Sequence, residues 1–171
     1  MDLCTWKGGN SKVLVYTSRA KRNPFNSKTL QPTSASCHNK LTLDFMANNR
    51  TAASVAEVYE PFLRILRKKH PMTPIIAMML TYVSREHPLI NQGAEIRAMR
   101  DVVREAAAKL IAEGDQNLVL VEGHSLLGPD LADGLVDGTH PNDLGFQAMA
   151  DRLGPTLCRV LKLPLAERHP R

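Results

Sequence analysis

Ile75-Ile76-Ala77-Met78-Met79-Leu80 is an unbroken apolar run in a chain of 171 residues. It is too short to span a membrane, which takes roughly 20 apolar residues. It reads as a strand covered on both faces, and that requires helices on either side of a sheet. The surrounding sequence supplies them. Residues 51–69 carry Val55, Val58, Tyr59, Phe62, Ile65 and Leu66 at helical spacing, with Arg67, Lys68 and Lys69 where the helix dipole favours cations. Residues 90–113 repeat the pattern with Ile96, Met99, Val103, Ala107, Leu110 and Ile111, and Gly114 suits the end of that helix. Residues 142–161 form a third amphipathic stretch, with Leu144, Met149, Leu153, Leu157, Val160 and Leu161 expected to face inward.

Further strands are expected at Lys12-Val13-Leu14-Val15-Tyr16, at Leu41-Thr42-Leu43-Asp44-Phe45-Met46 and at Leu118-Val119-Leu120-Val121. Strands alternating with helices predict a parallel sheet in an α/β fold, with the site at the carboxyl ends of the strands. The expected organisation is a basic segment over 1–40 with one strand, an α/β domain over 41–163, and a tail over 164–171. Residues 17–40 are polar and without period, an unusual length of irregular chain inside a domain.

Charge is distributed unevenly. Residues 1–40 hold seven basic side chains and one acid, whereas residues 41–171 hold 15 basic and 16 acidic ones. The basic segment has no aromatic interleaving and no recognition motif, so no nucleic-acid partner is expected. The first seven residues lack the apolar stretch of a signal peptide, and Cys4, Cys37 and Cys158 form neither a disulfide framework nor a metal spacing. Both features predict a cytoplasmic protein with reduced thiols. Glu86, His87 and His124 are conceivable metal ligands beside Asp137 and His140. No two histidines stand four residues apart, however, and no metal or other cofactor is expected.

The most informative chemistry lies in Asp137-Gly138-Thr139-His140-Pro141. A carboxylate three residues before an imidazole can hold one ring nitrogen and leave the other to accept a proton from a hydroxyl. The plainer reading is a turn closed by Asp137 with His140 an ordinary loop residue.

With its flank Asn142-Asp143-Leu144-Gly145-Phe146, this stretch resembles the last block of the SGNH (GDSL-type) hydrolases. Ser125-Leu126-Leu127-Gly128-Pro129-Asp130 resembles one branch of them, the GDSL-like lipase/acylhydrolases. So do Leu43-Asp44-Phe45-Met46-Ala47-Asn48-Asn49 and Glu60-Pro61-Phe62-Leu63-Arg64-Ile65-Leu66-Arg67, so that the likeness runs in order over about 41–163. The resemblance implies a three-layer α/β/α sandwich with a parallel sheet of flavodoxin-like type, shortened in its N-terminal part. It implies a serine esterase acting on a small-molecule ester. His140 would be the general base, Asp137 its orienting acid and Asn48 the oxyanion-hole asparagine, with Asn49 an adjacent competitor.

The nucleophile implied by the resemblance is Ser18, in Tyr16-Thr17-Ser18-Arg19, a turn that lacks the family's glycine. Gly9-Asn10-Ser11 echoes Gly-Asp-Ser but precedes the strand, which would put Ser11 at the wrong end of a parallel sheet. Only 29 residues separate Ser18 from Asn48, without a glycine among them, too few for the helix and strand that the family places there. The alternative to an esterase is therefore a non-catalytic relative that keeps the later βα units.

Overall fold

The computed structural model describes residues 2–8, 11–17, 41–90 and 92–163, with only the backbone path given up to residue 17. Five strands form one sheet in the order β1 (Asp2–Gly8), β2 (Ser11–Thr17), β3 (Leu41–Asp44), β4 (Ile75–Met78) and β5 (Leu118–Val121). Strands β3, β4 and β5 are parallel, in the register Leu41↔Ile75↔Leu118. The crossovers are α1 (Ala52–Lys69) and α2 (Gly93–Ala112). A short helix α3 (Gly123–Leu126) and the long helix α4 (Asp143–Leu161) follow β5.

Strand alternation divides the core into two layers. Leu41, Leu43, Ile75, Ala77 and Leu118 face α1 and α2, meeting Val55, Tyr59, Phe62 and Leu63 of the one and Ile96, Met99 and Val103 of the other. Ile76, Met78 and Val121 point the other way, toward Met149, Leu153, Leu157 and Val160 of α4. The three-layer α/β/α arrangement expected from the apolar run is present.

The first strand departs from expectation. The alternation of strands and helices predicts a parallel strand there, but β2 runs antiparallel to β3, pairing Leu14 with Asp44 and Thr17 with Leu41, and β1 closes a hairpin onto it. An isolated apolar run carries no information about direction. Three helical positions also differ. Ile65 and Ile111 are each 44% exposed and Leu144 is 54% exposed, whereas Leu63 is fully buried. On α1 the inward stripe is Val55, Tyr59, Phe62, Leu63 and Leu66, and Ile65 falls beside it.

Helix ends are set by local chemistry. Thr51 accepts from the Ser54 N–H at the start of α1. Gly114, just past α2, has φ +106, which a residue with a side chain adopts only with strain.

Tyr59 is completely buried, tilted against Phe45 with ring centres 5.1 Å apart, and its hydroxyl has no hydrogen-bond partner among the described residues. An unpaired buried hydroxyl costs about 1–3 kcal/mol. Tyr59→Phe is therefore expected to leave stability unchanged or raise it in urea denaturation. A loss of more than about 1 kcal/mol would show that the hydroxyl has a partner after all.

Candidate active site

Because β3, β4 and β5 are parallel, the segments that leave their carboxyl ends share one edge of the sheet. These are the turn Met46–Asn48 after β3, residues 80–86 after β4, and residues 122–140 after β5. Asp137 and His140 lie on the last of them.

The Asp137 carboxylate does two things at once. Its Oδ1 accepts the backbone N–H groups of His140 at 2.8 Å and Thr139 at 2.9 Å, closing the turn. Its Oδ2 accepts the Nδ1–H of His140 at 2.6 Å. The two readings of this segment are thus not exclusive, since the turn-closing carboxylate also orients the ring. Hydrogen bonds from the His140 backbone, the His140 ring and the Thr139 backbone lower the Asp137 carboxyl to a pKa of about 2. An ionised carboxylate can only accept, so the proton of this pair sits on Nδ1 and Nε2 is left as the basic nitrogen. The pair is open to solvent, His140 at 75% and Asp137 at 53% side-chain exposure.

Two close approaches hold the turn in place. Gly138 has φ +78, and its carbonyl accepts the Ser84 N–H at 2.7 Å. A Cβ there would lie 2.2 Å from Ser84 Oγ, so both conformation and space require glycine. Farther along, Asn142 caps α4 by accepting the Gly145 N–H at 3.1 Å and donates its own amide to the Asp133 carbonyl at 2.7 Å. Gly145 packs so tightly on Gly134 that a Cβ would come within 2.2 Å of the Gly134 carbonyl oxygen.

Behind the turn lies a buried polar cluster. Arg100 of α2 is 5% exposed. Its Nε donates to the Leu80 carbonyl at 2.9 Å, and its Nη2 donates to the Thr81 carbonyl at 2.8 Å. Both terminal nitrogens bind the Glu86 carboxylate, at 2.6 and 2.7 Å. Burial pushes the Glu86 carboxyl up, but the Arg100 guanidinium outweighs it and leaves it below the ordinary range. His124 Nε2 lies 3.1 Å from the same carboxylate. Glu86 thus pairs with both Arg100 and His124. Among the described residues no three His, Cys, Asp or Glu side chains converge to hold an ion.

The remaining expected residues fall as follows. Asn48 ends the turn Met46–Asn48 after β3, and its side chain is outside the described residues. Asn49 is buried and donates its amide to the Phe45 carbonyl at 2.9 Å. Ser18 lies outside the described residues. The strand before it ends with Thr17 opposite Leu41, at the amino end of β3. The other end of β2, at Ser11, runs past Asp44 and so lies at the carboxyl edge. The expectation that Ser11 occupies the wrong end rested on a parallel strand, and the antiparallel pairing reverses it. A cavity of about 470 Å³ is lined by Asn49, Arg50, Arg85, Gln92, Glu95 and Met99, and neither Asp137 nor His140 is among its lining residues.

A family model for GDSL-like lipases and acylhydrolases matches residues 28–159. The chain belongs to the GDSL-like lipase/acylhydrolase family. The matched span takes in Asn48, Asp137 and His140, while Ser11 and Ser18 precede it. Among solved structures, the chain is similar to a protein from Bacteroides ovatus ATCC 8483 assigned as a GDSL-like lipase, with 31% identity and a TM-score of 0.60, over 71% of this chain and 36% of that one. It shares its fold with the salicylyl-acyltransferase SsfX3 of a tetracycline biosynthetic pathway, at 24% identity and a TM-score of 0.55, over 67% of this chain and 34% of that one. This GDSL-like chain thus spans about a third of the length of either structure. Compared with curated proteins it has no match. No helix among the described residues is long and apolar enough to cross a membrane.

The Asp137 carboxyl, lowered in the folded state, contributes stability that is complete above its unfolded pKa near ~4 and is lost as pH falls through about 2. Carbon-detected titration is expected to give Asp137 a midpoint near 2, raised part of the way in His140→Ala, which removes the ring bond and keeps the two backbone bonds. A midpoint near ~4 in the parent protein would contradict the hydrogen-bonded turn.

Proposed function

We propose that the protein is a serine-type ester hydrolase whose general base is His140, oriented by Asp137. The observation that carries this reading is the 2.6 Å bond from the His140 Nδ1–H to Asp137, on the edge of the sheet where β3, β4 and β5 end. An imidazole held by a carboxylate at one nitrogen is the arrangement that takes a hydroxyl proton at the other. A serine Oγ attacks the ester carbonyl as Nε2 accepts its proton, and the carbonyl electrons move onto the oxygen. The tetrahedral oxyanion is stabilised by the Asn48 amide with backbone N–H groups. Collapse expels the alkoxide, which takes the proton from His140. Water then repeats the sequence on the acyl-enzyme and releases the acid. The substrate is a small-molecule ester.

Two serines are candidates for the nucleophile. Ser18 follows from the family resemblance of Thr17-Ser18. Ser11 is supported by the antiparallel register, which brings its end of β2 to the edge that carries His140. The alternative, a non-catalytic relative, is motivated by the short span between Ser18 and Asn48.

Turnover of p-nitrophenyl acetate separates the readings. His140→Ala is expected to lower kcat/KM by roughly 10²–10⁴-fold, and Asn48→Ala by about 10²–10³-fold. One of Ser11→Ala and Ser18→Ala should abolish turnover and so name the nucleophile. A parent protein without turnover above buffer, or turnover unchanged in His140→Ala, would favour the non-catalytic relative.

A further inference from the structure

The reading of His140 as a base leaves open what keeps an exposed turn in one place. Only its neighbours can: the Val136 N–H donates to the His140 carbonyl at 2.8 Å, and on the β4 side the contacts lead to one buried side chain. Residues 80–86 have left β4 yet remain largely inside the protein, so their backbone groups need partners. Arg100 satisfies the carbonyls of Leu80 and Thr81 and grips Glu86 with both terminal nitrogens. Glu86 in turn closes the turn that follows, since its Oε1 accepts the Val83 N–H at 3.1 Å while its own N–H donates to the Val83 carbonyl at 2.9 Å. Ser84 sits inside that closed turn with its N–H directed at the Gly138 carbonyl, 2.7 Å away. Gly138 lies between Asp137 and His140. On the opposite side, the Tyr82 N–H donates to the Leu127 carbonyl at 2.8 Å, and Gly123 lies so close to Leu80 that a Cβ would meet its carbonyl oxygen at 1.9 Å.

We infer that Arg100 and Glu86 are positioning residues for the Asp137–His140 pair, acting through Ser84 on Gly138. The inference rests on the proposed role of His140 as base. Arg100 touches neither member of that pair. Its four hydrogen bonds fix the path of residues 80–86, and that path ends in a backbone donor to the catalytic turn, which the Val136 N–H also holds by donating to the His140 carbonyl at 2.8 Å. Glu86 carries a second connection, to His124 at the start of the segment after β5, so both segments that approach the site from the β4 and β5 ends are tied to one carboxylate.

The sheet supplies its own control. At the amino edge Arg67 does similar work: its Nε donates to Asp115 at 2.7 Å, and its Nη1 donates to the carbonyls of His70 and Thr73, each at 2.7 Å. It is mostly buried and lies at the end of the sheet away from the catalytic turn.

The test compares Glu86→Gln and Arg100→Met with Arg67→Met in the full chain. Three quantities are read for each: thermal midpoint, kcat and KM for p-nitrophenyl acetate, and the downfield proton resonance of His140 Nδ1–H. All three variants are expected to lower the midpoint. Glu86→Gln and Arg100→Met should also lower kcat by about 10–10²-fold with KM within about twofold, because small displacements of a base are felt in the chemical step. They should broaden or shift the Nδ1–H resonance, while Arg67→Met leaves kcat and the resonance as in the parent. Equal effects from Arg67→Met and Glu86→Gln, or an unshifted resonance in Glu86→Gln, would overturn the assignment. The resonance needs no turnover, so a parent that holds the Nδ1–H signal but hydrolyses nothing loses the esterase reading and keeps the positioning one. Should Arg100→Met fail to fold, the milder Glu86→Gln decides.

Discussion

The chain that leaves β4 cannot stay buried unless its carbonyls are bonded, and that requirement organises the whole carboxyl edge of the sheet. A side chain from α2 meets it. Arg100 turns a helix face that would otherwise be purely apolar into the donor set for Leu80, Thr81 and Glu86. The cost of burying a guanidinium is offset because it is paired with a carboxylate and each of its three nitrogens is hydrogen-bonded. From this fixed point the edge follows in order: Ser84 bonds Gly138, Gly138 allows the turn, and Asp137 closes it and turns His140 outward. Glycines stand where backbone meets backbone, at Gly123 against Leu80 and at Gly145 against Gly134.

Much of this was legible in the residues. The run at 75–80 demanded layers on both faces, and Ile75 and Ile76 indeed point into opposite ones. The Asp-Gly-Thr-His spacing announced the hydrogen-bonded pair because a three-residue separation is short enough to be settled locally. Arg100 was not recognised, although a signal was present: it lies on the apolar stripe of Ile96, Met99 and Val103, where an arginine must find buried partners. Those partners come from residues 80–86, distant in sequence, and pairing of that kind cannot be read from periodicity. The direction of β2 was illegible for a related reason, since pairing depends on the neighbour and not on the strand itself. Leu144 was misread because helical spacing gives the face of a helix but not where its covering ends.

The family assignment and the geometry divide the molecule in the same way. The matched residues 28–159 contain the proposed base His140, its partner Asp137 and Asn48, all on segments that follow the parallel strands. Both serines proposed as nucleophile, Ser11 and Ser18, precede that span. With β2 antiparallel, the hairpin places Ser11, not the Thr17 end, at the edge that carries His140. Asp137 and His140 thus stand on an architecture of parallel strands and crossover helices, and the proposed nucleophile lies at one end or the other of a strand that runs in the opposite direction.

The most direct test of this account is to react the protein with a fluorophosphonate and map the adduct by peptide mass spectrometry, in parallel with His140→Ala. The account requires one adduct, on Ser11 or Ser18, that disappears when His140 is replaced. No adduct, an adduct on another serine, or one that persists in His140→Ala would contradict it.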